Sequence, residues 1–224
     1  KDATLRAASM AGLKHCELLQ EPIAAAAAYA LASKDKDGYW LIFDFGGGTF
    51  DAAIVSVDEG VMKFVDTEGD NYLGGKNLDN AIVDEIIMPY VRENYDFDDF
   101  LENDDNAIKL KEALKIWAER AKIELSFSET TDIQSDLGDL PEDDNGEELE
   151  LDISVTRECL KKAIGPLFQK SIDLCLNLLE RNGMSSSSLS SLILVGGPTL
   201  SPILREMLSD QLITPNTSMD PMTV

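Results

Sequence analysis

Histidine is nearly missing from this chain of 224 residues: His15 is the only one, and the three cysteines, Cys16, Cys159 and Cys175, form no CxxC pair. A structural zinc ion takes four His or Cys ligands, so zinc is not expected. The cysteines read as buried or half-buried free thiols in a reducing compartment, and His15 as part of a helix-to-strand connection. No apolar run reaches the roughly 18 uncharged residues of a membrane span, and residues 1–6 lack the apolar core of a secretory signal. A soluble cytoplasmic protein without a membrane partner is therefore expected. Positive charge is also scarce. Nineteen Lys and Arg against 42 Asp and Glu leave a net charge of -23, which repels nucleic acid and anionic membranes at long range.

What is present is enough for a core: 44% of the residues are hydrophobic, and the length fits one or two domains. Acid is concentrated in residues 93–105 and 132–152. These stretches read as solvated loops and a polar hairpin, since no EF-hand ligand spacing occurs in them. The methionines and both tryptophans, Trp40 and Trp117, stand at spacings suited to packing.

Residues 3–13 have helical spacing and 16–20 a short strand-like run, after which Glu21-Pro22 opens an alanine-rich helix. An acid at that position also favours the helix dipole. A polar turn is expected at 34–38. Three strands follow at 40–45, 50–57 and 61–67, with Asp58-Glu-Gly60 as the hairpin turn between the last two. Helices are expected at about 76–94 and 106–125, strand-like runs at 132–136 and 148–154, and a long helix at 156–181 with Thr156 and Glu158 near its start. A polar linker at 185–191, a strand at 192–195 and a helix at about 200–210 complete the pattern.

Two glycine clusters close apolar strands: Leu41-Ile-Phe-Asp-Phe-Gly-Gly-Gly-Thr-Phe-Asp51 and Leu192-Ile-Leu-Val-Gly-Gly-Pro-Thr199. Glycine lets backbone N–H groups approach an anion, and strand ends are where α/β sheets bind ligands. Gly46, Gly47 and Gly48 with the Thr49 hydroxyl form a candidate nest for phosphate oxygens. Asp44, leaving the strand beside it, is a candidate Mg²⁺ ligand, directly or through water. Asp51 reads as a turn anchor. The glycines join two strands, and neither GxGxxG nor GKS/GKT is present, so this is not a Rossmann or P-loop site. At the second cluster, Gly196 and Gly197 permit close approach of a base, sugar or phosphate. Glu119, Lys122 and Ser126 share one helix face at i, i+3 and i+7; a surface ion pair explains the first two equally well.

Gln20-Glu21-Pro22-Ile-Ala-Ala-Ala26, Ile42-Phe-Asp-Phe-Gly-Gly-Gly-Thr-Phe-Asp51, Gly69-Asp-Asn-Tyr-Leu-Gly-Gly75, Glu119-Arg-Ala-Lys122 and Val195-Gly-Gly197 stand in the order seen in the seventy-kilodalton heat-shock chaperones, which the chain resembles over nearly its whole length. The resemblance implies an α/β, actin-like ATPase (ribonuclease H-like) fold: a mixed sheet flanked by helices with an inserted α+β subdomain. Residues 1–37 would end lobe I, 38–73 and 154–224 would form the lobe II core, and 74–153 the inserted outer subdomain. It implies ATP, ADP and Mg²⁺ as ligands, with Glu21, Asp44 and Thr49 as catalytic residues. Gly46, Gly47, Gly48 and Thr49 would bind phosphate. Gly75, Glu119, Lys122, Ser126, Gly196 and Gly197 would line the adenosine pocket. Partners implied are a nucleotide-exchange factor, J-domain co-chaperones and, through a domain outside this sequence, unfolded polypeptide.

The chain departs from the family pattern at three places. Ile123 replaces an arginine that stacks on adenine, Pro198 removes a hydroxyl and an N–H, and Leu200 removes a cation. The family's first phosphate loop and its lobe I lysine are not in the sequence. A fragment with poor or no ATP hydrolysis of its own is therefore expected, within a chaperone that couples nucleotide state to polypeptide binding. The alternative is a nucleotide-binding scaffold that has lost turnover and serves protein interaction. A sugar kinase of the same superfamily fits the Glu119–Lys122 helix less well.

Overall fold

The computed structural model describes residues 2–32, 37–136, 138–217 and 220–222. The turn expected at 34–38 lies mostly outside them. Two helices come first, α1 (Asp2–Met10) and α2 (Glu21–Ala32), then strands β1 (Gly38–Phe45), β2 (Phe50–Asp58) and β3 (Val61–Asp70). Helices α3 (Gly75–Ile82), α4 (Met88–Asn94), α5 (Asp98–Leu101) and α6 (Asp104–Glu124) follow, with strands β4 (Thr130–Gln134) and β5 (Asp152–Thr156) after them. Helix α7 (Arg157–Arg181), strand β6 (Leu189–Val195) and helix α8 (Pro202–Gln211) complete the order.

The main sheet runs β3-β2-β1-β6, with β1 antiparallel to β2 and parallel to β6. It is a mixed sheet, and β1 and β2 are covered on both faces. Alternation along the strands divides their side chains. Leu41, Phe43, Phe45, Phe50, Ala52, Ile54, Leu192 and Leu194 join the large core under α3, α6, α7 and α8, where Phe45 meets Phe168 edge-on at 5.7 Å. Trp40, Ile42, Ala53, Val55, Val57 and Ile193 face the other way, onto Ala25, Ala26 and Tyr29 of α2. There Tyr29 and Trp40 make a T-shaped pair at 5.2 Å. Full burial on both faces explains why these strands read as near-continuous apolar runs.

The helix expected at 76–94 exists but is interrupted by a π-helical turn, Val83–Ile87. Pro89 follows at once; it donates no N–H, and its ring would crowd the carbonyl four residues back in a regular helix. Asn103 starts α6 earlier than expected, its side chain accepting from the Asp105 and Asn106 amides. Thr156 ends β5 and caps α7 through the Cys159 amide at 3.1 Å. Strands β4 and β5 begin at Thr130 and Asp152 rather than at the expected positions, and 148–151 contribute only a bridge between Glu142 and Glu148.

Several expectations are corrected. Residues 16–20 form no strand, and all five are exposed. Cys16 and Cys159 are exposed, and Cys175 alone is buried. Met10 and Met222 are exposed rather than packed, whereas Trp40 and Trp117 are buried as expected. Three of the seven residues of the expected linker 185–191, from Leu189 on, belong to strand β6, because its serines are satisfied: Ser191 donates to the Tyr29 hydroxyl and Ser190 to the Tyr39 carbonyl. The last helix, expected at about 200–210, is α8, and a 3₁₀ turn, Gly197–Leu200, precedes it. Pro202 disfavours helical geometry at Ser201, whose ψ is 123°.

Candidate functional site

Parallel pairing of β1 and β6, with Asp44 opposite Val195, brings the two glycine clusters side by side at the same sheet end. The β1–β2 turn is held from below by α3. Gly75 N–H donates to the Gly46 carbonyl and Lys76 N–H to the Gly47 carbonyl, each at 2.9 Å. Gly46 N–H donates to the Thr49 carbonyl. With those groups tied down, the N–H groups of Gly47, Gly48 and Thr49 make no hydrogen bond among the described residues, nor does the Thr49 hydroxyl, and all three residues are exposed. Unpaired exposed amides in succession make an anion nest.

Glycine is required at two supports of this turn. A Cβ on Gly74 would lie 2.5 Å from the Gly48 backbone, and one on Gly196, where φ is +92°, would lie 2.3 Å from the Phe45 carbonyl oxygen. Gly47 and Gly48 themselves have open space where a Cβ would stand.

A cavity of about 470 Å³ opens beside the turn. Of the sequence-predicted residues, Gly47, Gly75, Glu119, Lys122, Ser126 and Gly197 line it. Gly46, Gly48, Thr49 and Gly196 do not; Gly196 instead packs the end of β6 against β1. Glu119 and Lys122 do not pair with each other. Lys122 Nζ donates to Asp79 Oδ1 at 2.6 Å, with the two side chains only 14% and 11% exposed. Burial nevertheless outweighs the lysine and holds the Asp79 carboxyl above the usual carboxylate range. Ser126 Oγ donates to the Lys122 carbonyl. The outer wall is apolar: Ile123, Phe127, Pro198, Leu200 and Met222 all line the cavity.

Glu21 and Asp44 lie elsewhere, in a second hollow that they share with Gln20, Asp51 and Thr67. Thus Asp44 and Asp51, the residues flanking the turn, border an acidic cleft while the turn's Gly47 borders the cavity. Burial first, then the charges of Glu21 and Asp51, push the Asp44 carboxyl up to about 6. Asp51 is raised as well, by burial and by Glu21. Its carboxylate makes no hydrogen bond among the described residues, so the geometry shows no turn anchor there. Among the described residues no three His, Cys, Asp or Glu side chains gather closely enough to cage a metal ion. A hard cation here would have to share its coordination among one or two carboxylates, water and a ligand's oxygens.

Asp79 and Lys76 went unnoticed in the sequence. The spacing Gly75-Lys76-Asn-Leu-Asp79, placing a cation at the first turn of a helix and an acid on its buried face, was the available signal.

Among the described residues no helix is long and apolar enough to cross a membrane. A family model described as Hsp70 protein matches residues 1–223. The chaperone protein DnaK of Methanothermobacter thermautotrophicus is 35% identical over 226 residues, covering 99% of this chain and 36% of the relative. The chaperone protein DnaK of Carsonella ruddii is 37% identical over 215 residues, covering 94% of this chain and 34% of the relative. The chain thus spans about a third of the length of the curated relatives it matches. With the family match covering residues 1–223, this chain belongs to the Hsp70 protein family.

Proposed function

We propose that this chain binds ATP and ADP with Mg²⁺ across the β1–β2 turn and serves in the ATPase domain of a cytoplasmic chaperone. The three unpaired N–H groups of Gly47, Gly48 and Thr49 carry this reading, because Gly47 places them at the edge of a cavity large enough for a nucleoside. Phosphate oxygens accept from those amides and from the Thr49 hydroxyl, with Gly46 shaping the turn. The nucleoside fills the cavity between Gly75, Glu119, Lys122, Ser126 and Gly197, with Gly196 setting the approach of that loop. Ile123, Pro198 and Leu200 give the base an apolar wall.

Asp44 fits Mg²⁺ by chemistry: it is a carboxylate beside the nest whose charge is disfavoured until a cation offsets it. The ion supplies neutralisation of phosphate charge when bound. Glu21, in the same acidic cleft, orients the attacking water, and Thr49 holds the terminal phosphoryl group. Catalysis is then positioning plus electrostatic stabilisation.

In this reading the fold is the actin-like, ribonuclease H-like ATPase. Residues 1–37 belong to lobe I, 38–73 and 154–224 to the lobe II core, and 74–153 to the inserted α+β subdomain. The chaperone names of the DnaK relatives support a chaperone role, and the proposed partners in its working cycle are nucleotide-exchange factors, J-domain co-chaperones and unfolded polypeptide.

Calorimetric titration of MgADP and MgATP into the full natural chain tests it. One binding site is expected, abolished in Gly47→Val, whose Cβ meets nothing within 4 Å, with a thermal unfolding midpoint close to wild type checking that the variant folds. Absence of binding by the unaltered protein overturns the reading. Phosphate release measured on the same protein separates an ATPase from a turnover-deficient scaffold.

A further inference from the structure

The nucleotide reading leaves one problem of charge. A diphosphate or triphosphate must settle on a chain whose net charge is -23, in a cavity whose titratable lining includes Glu119 and Asp79. Lys122 does not solve it, because its ammonium is held by Asp79 at 2.6 Å. Lys76 is the other cation that lines the cavity. Its backbone is fastened to the nest, Lys76 N–H donating to the Gly47 carbonyl at 2.9 Å. Among the described residues its ammonium has no ion pair and no hydrogen bond, and the residue is exposed. It follows Gly75 in the first turn of α3, where a lysine opposes the helix dipole and gains nothing from it. A cation held in that unfavourable place, unpaired and one hydrogen bond from the free amides, matches an anion brought by the ligand.

We propose that Lys76 is a phosphate-binding residue of this site, its ammonium neutralising the phosphate chain of the nucleotide; this rests on the nucleotide reading above. The lysine supplements the amide nest, which contributes only partial charges, and takes over part of the neutralisation that Mg²⁺ provides from the Asp44 side. A flexible ammonium suits this role, since it follows the phosphates as a point charge without a fixed fork geometry.

The test is calorimetric titration of ADP and of adenosine into the full natural chain, with and without Mg²⁺, for wild type, Lys76→Ala and Lys76→Arg. Adenosine lacks phosphate and serves as the internal control. Lys76→Ala is expected to weaken ADP about tenfold, as loss of one charged hydrogen bond does, with the larger loss in the absence of Mg²⁺. Adenosine should change less than twofold, and Lys76→Arg should restore most of the ADP affinity. Unchanged ADP affinity in Lys76→Ala, or an equal loss for ADP and adenosine, overturns the role of Lys76 while the nucleotide site stands. Failure of the wild type to bind either ligand overturns the site itself and Lys76 with it.

Discussion

Lys122 on α6 and Asp79 on α3 meet at 2.6 Å across 43 positions of sequence, nearly out of reach of water. The pair joins two helices at the wall of the cavity. Lys122→Met leaves a buried carboxylate without its counter-charge, and stability should fall by about 1–3 kcal/mol at pH 8. Asp79 is already raised by burial, and losing the lysine raises it further. A carboxyl whose folded pKa exceeds its unfolded one destabilises as pH rises through that interval. The penalty should therefore shrink toward pH 5, and Asp79→Asn added to Lys122→Met should recover part of it. Urea unfolding at the two pH values checks this; a penalty independent of pH would count against it.

Asp44 should behave in the same sense. Its carboxyl is pushed up from 3.8 to about 6, so the unliganded protein is favoured below about pH 4 and loses that contribution as pH rises through 6. A rise of that size corresponds to roughly 3 kcal/mol, and solvent access reduces this to about 1 kcal/mol. Asp44→Asn should stabilise the unliganded protein by that amount at pH 7.5 and hardly at all at pH 4. Denaturation curves at both pH values decide the matter, and destabilisation at pH 7.5 is the contrary result.

Glycine substitutions around the nest should divide sharply. Gly74→Ala and Gly196→Ala drive a methyl group into backbone at 2.5 and 2.3 Å, and each should cost about 2 kcal/mol or more. Gly47→Ala meets nothing within 4 Å and should unfold close to the wild-type midpoint. Thermal unfolding of the three variants provides the comparison; equal midpoints would show that the turn relaxes freely.

Ile123 is half exposed at the cavity wall. If adenine packs there, Ile123→Arg adds a guanidinium over its face and should tighten MgADP by about 0.5–1 kcal/mol, a few-fold in Kd. A calorimetric comparison of the two proteins measures it, and weaker binding by the arginine variant would place the base elsewhere.

The thiols offer a check on the fold itself. Cys16 and Cys159 are exposed, while Cys175 is fully buried and burial pushes its thiol well above its ordinary range. A thiol reagent should label two sites in the native protein and the third only on unfolding. Rapid labelling of all three would contradict the packing of α7.

Strand and helix identity was legible where periodicity and punctuation agreed, as in β1, β2 and α7 with its Thr156 cap. It failed where tertiary contacts decide. Residues 16–20 look like a strand but pair with no strand among the described residues, while Ser191 looks like a loop residue but pairs with Trp40 of β1, and Ser190 sits at a bulge and donates to the Tyr39 carbonyl. The grouping of Glu119, Lys122 and Ser126 followed from helical spacing. Asp79 could not be assigned to them, since no local pattern tells which helix face meets which. Nor did the sequence disclose that Glu21 and Asp44 border a different hollow from the cavity lined by Glu119 and Lys122, because strand alternation fixes a face but not what covers it.

The parallel contact between β1 and β6 joins positions about 150 residues apart, and closing so long a loop carries a large entropic cost. The two glycine clusters come together only once β6 has paired with β1. A ligand held between them recognises the completed protein and has no purchase on partly formed species, so its presence should raise the midpoint of unfolding in proportion to the logarithm of its concentration. The nucleotide binding proposed above thus requires β6 to be in place beside β1.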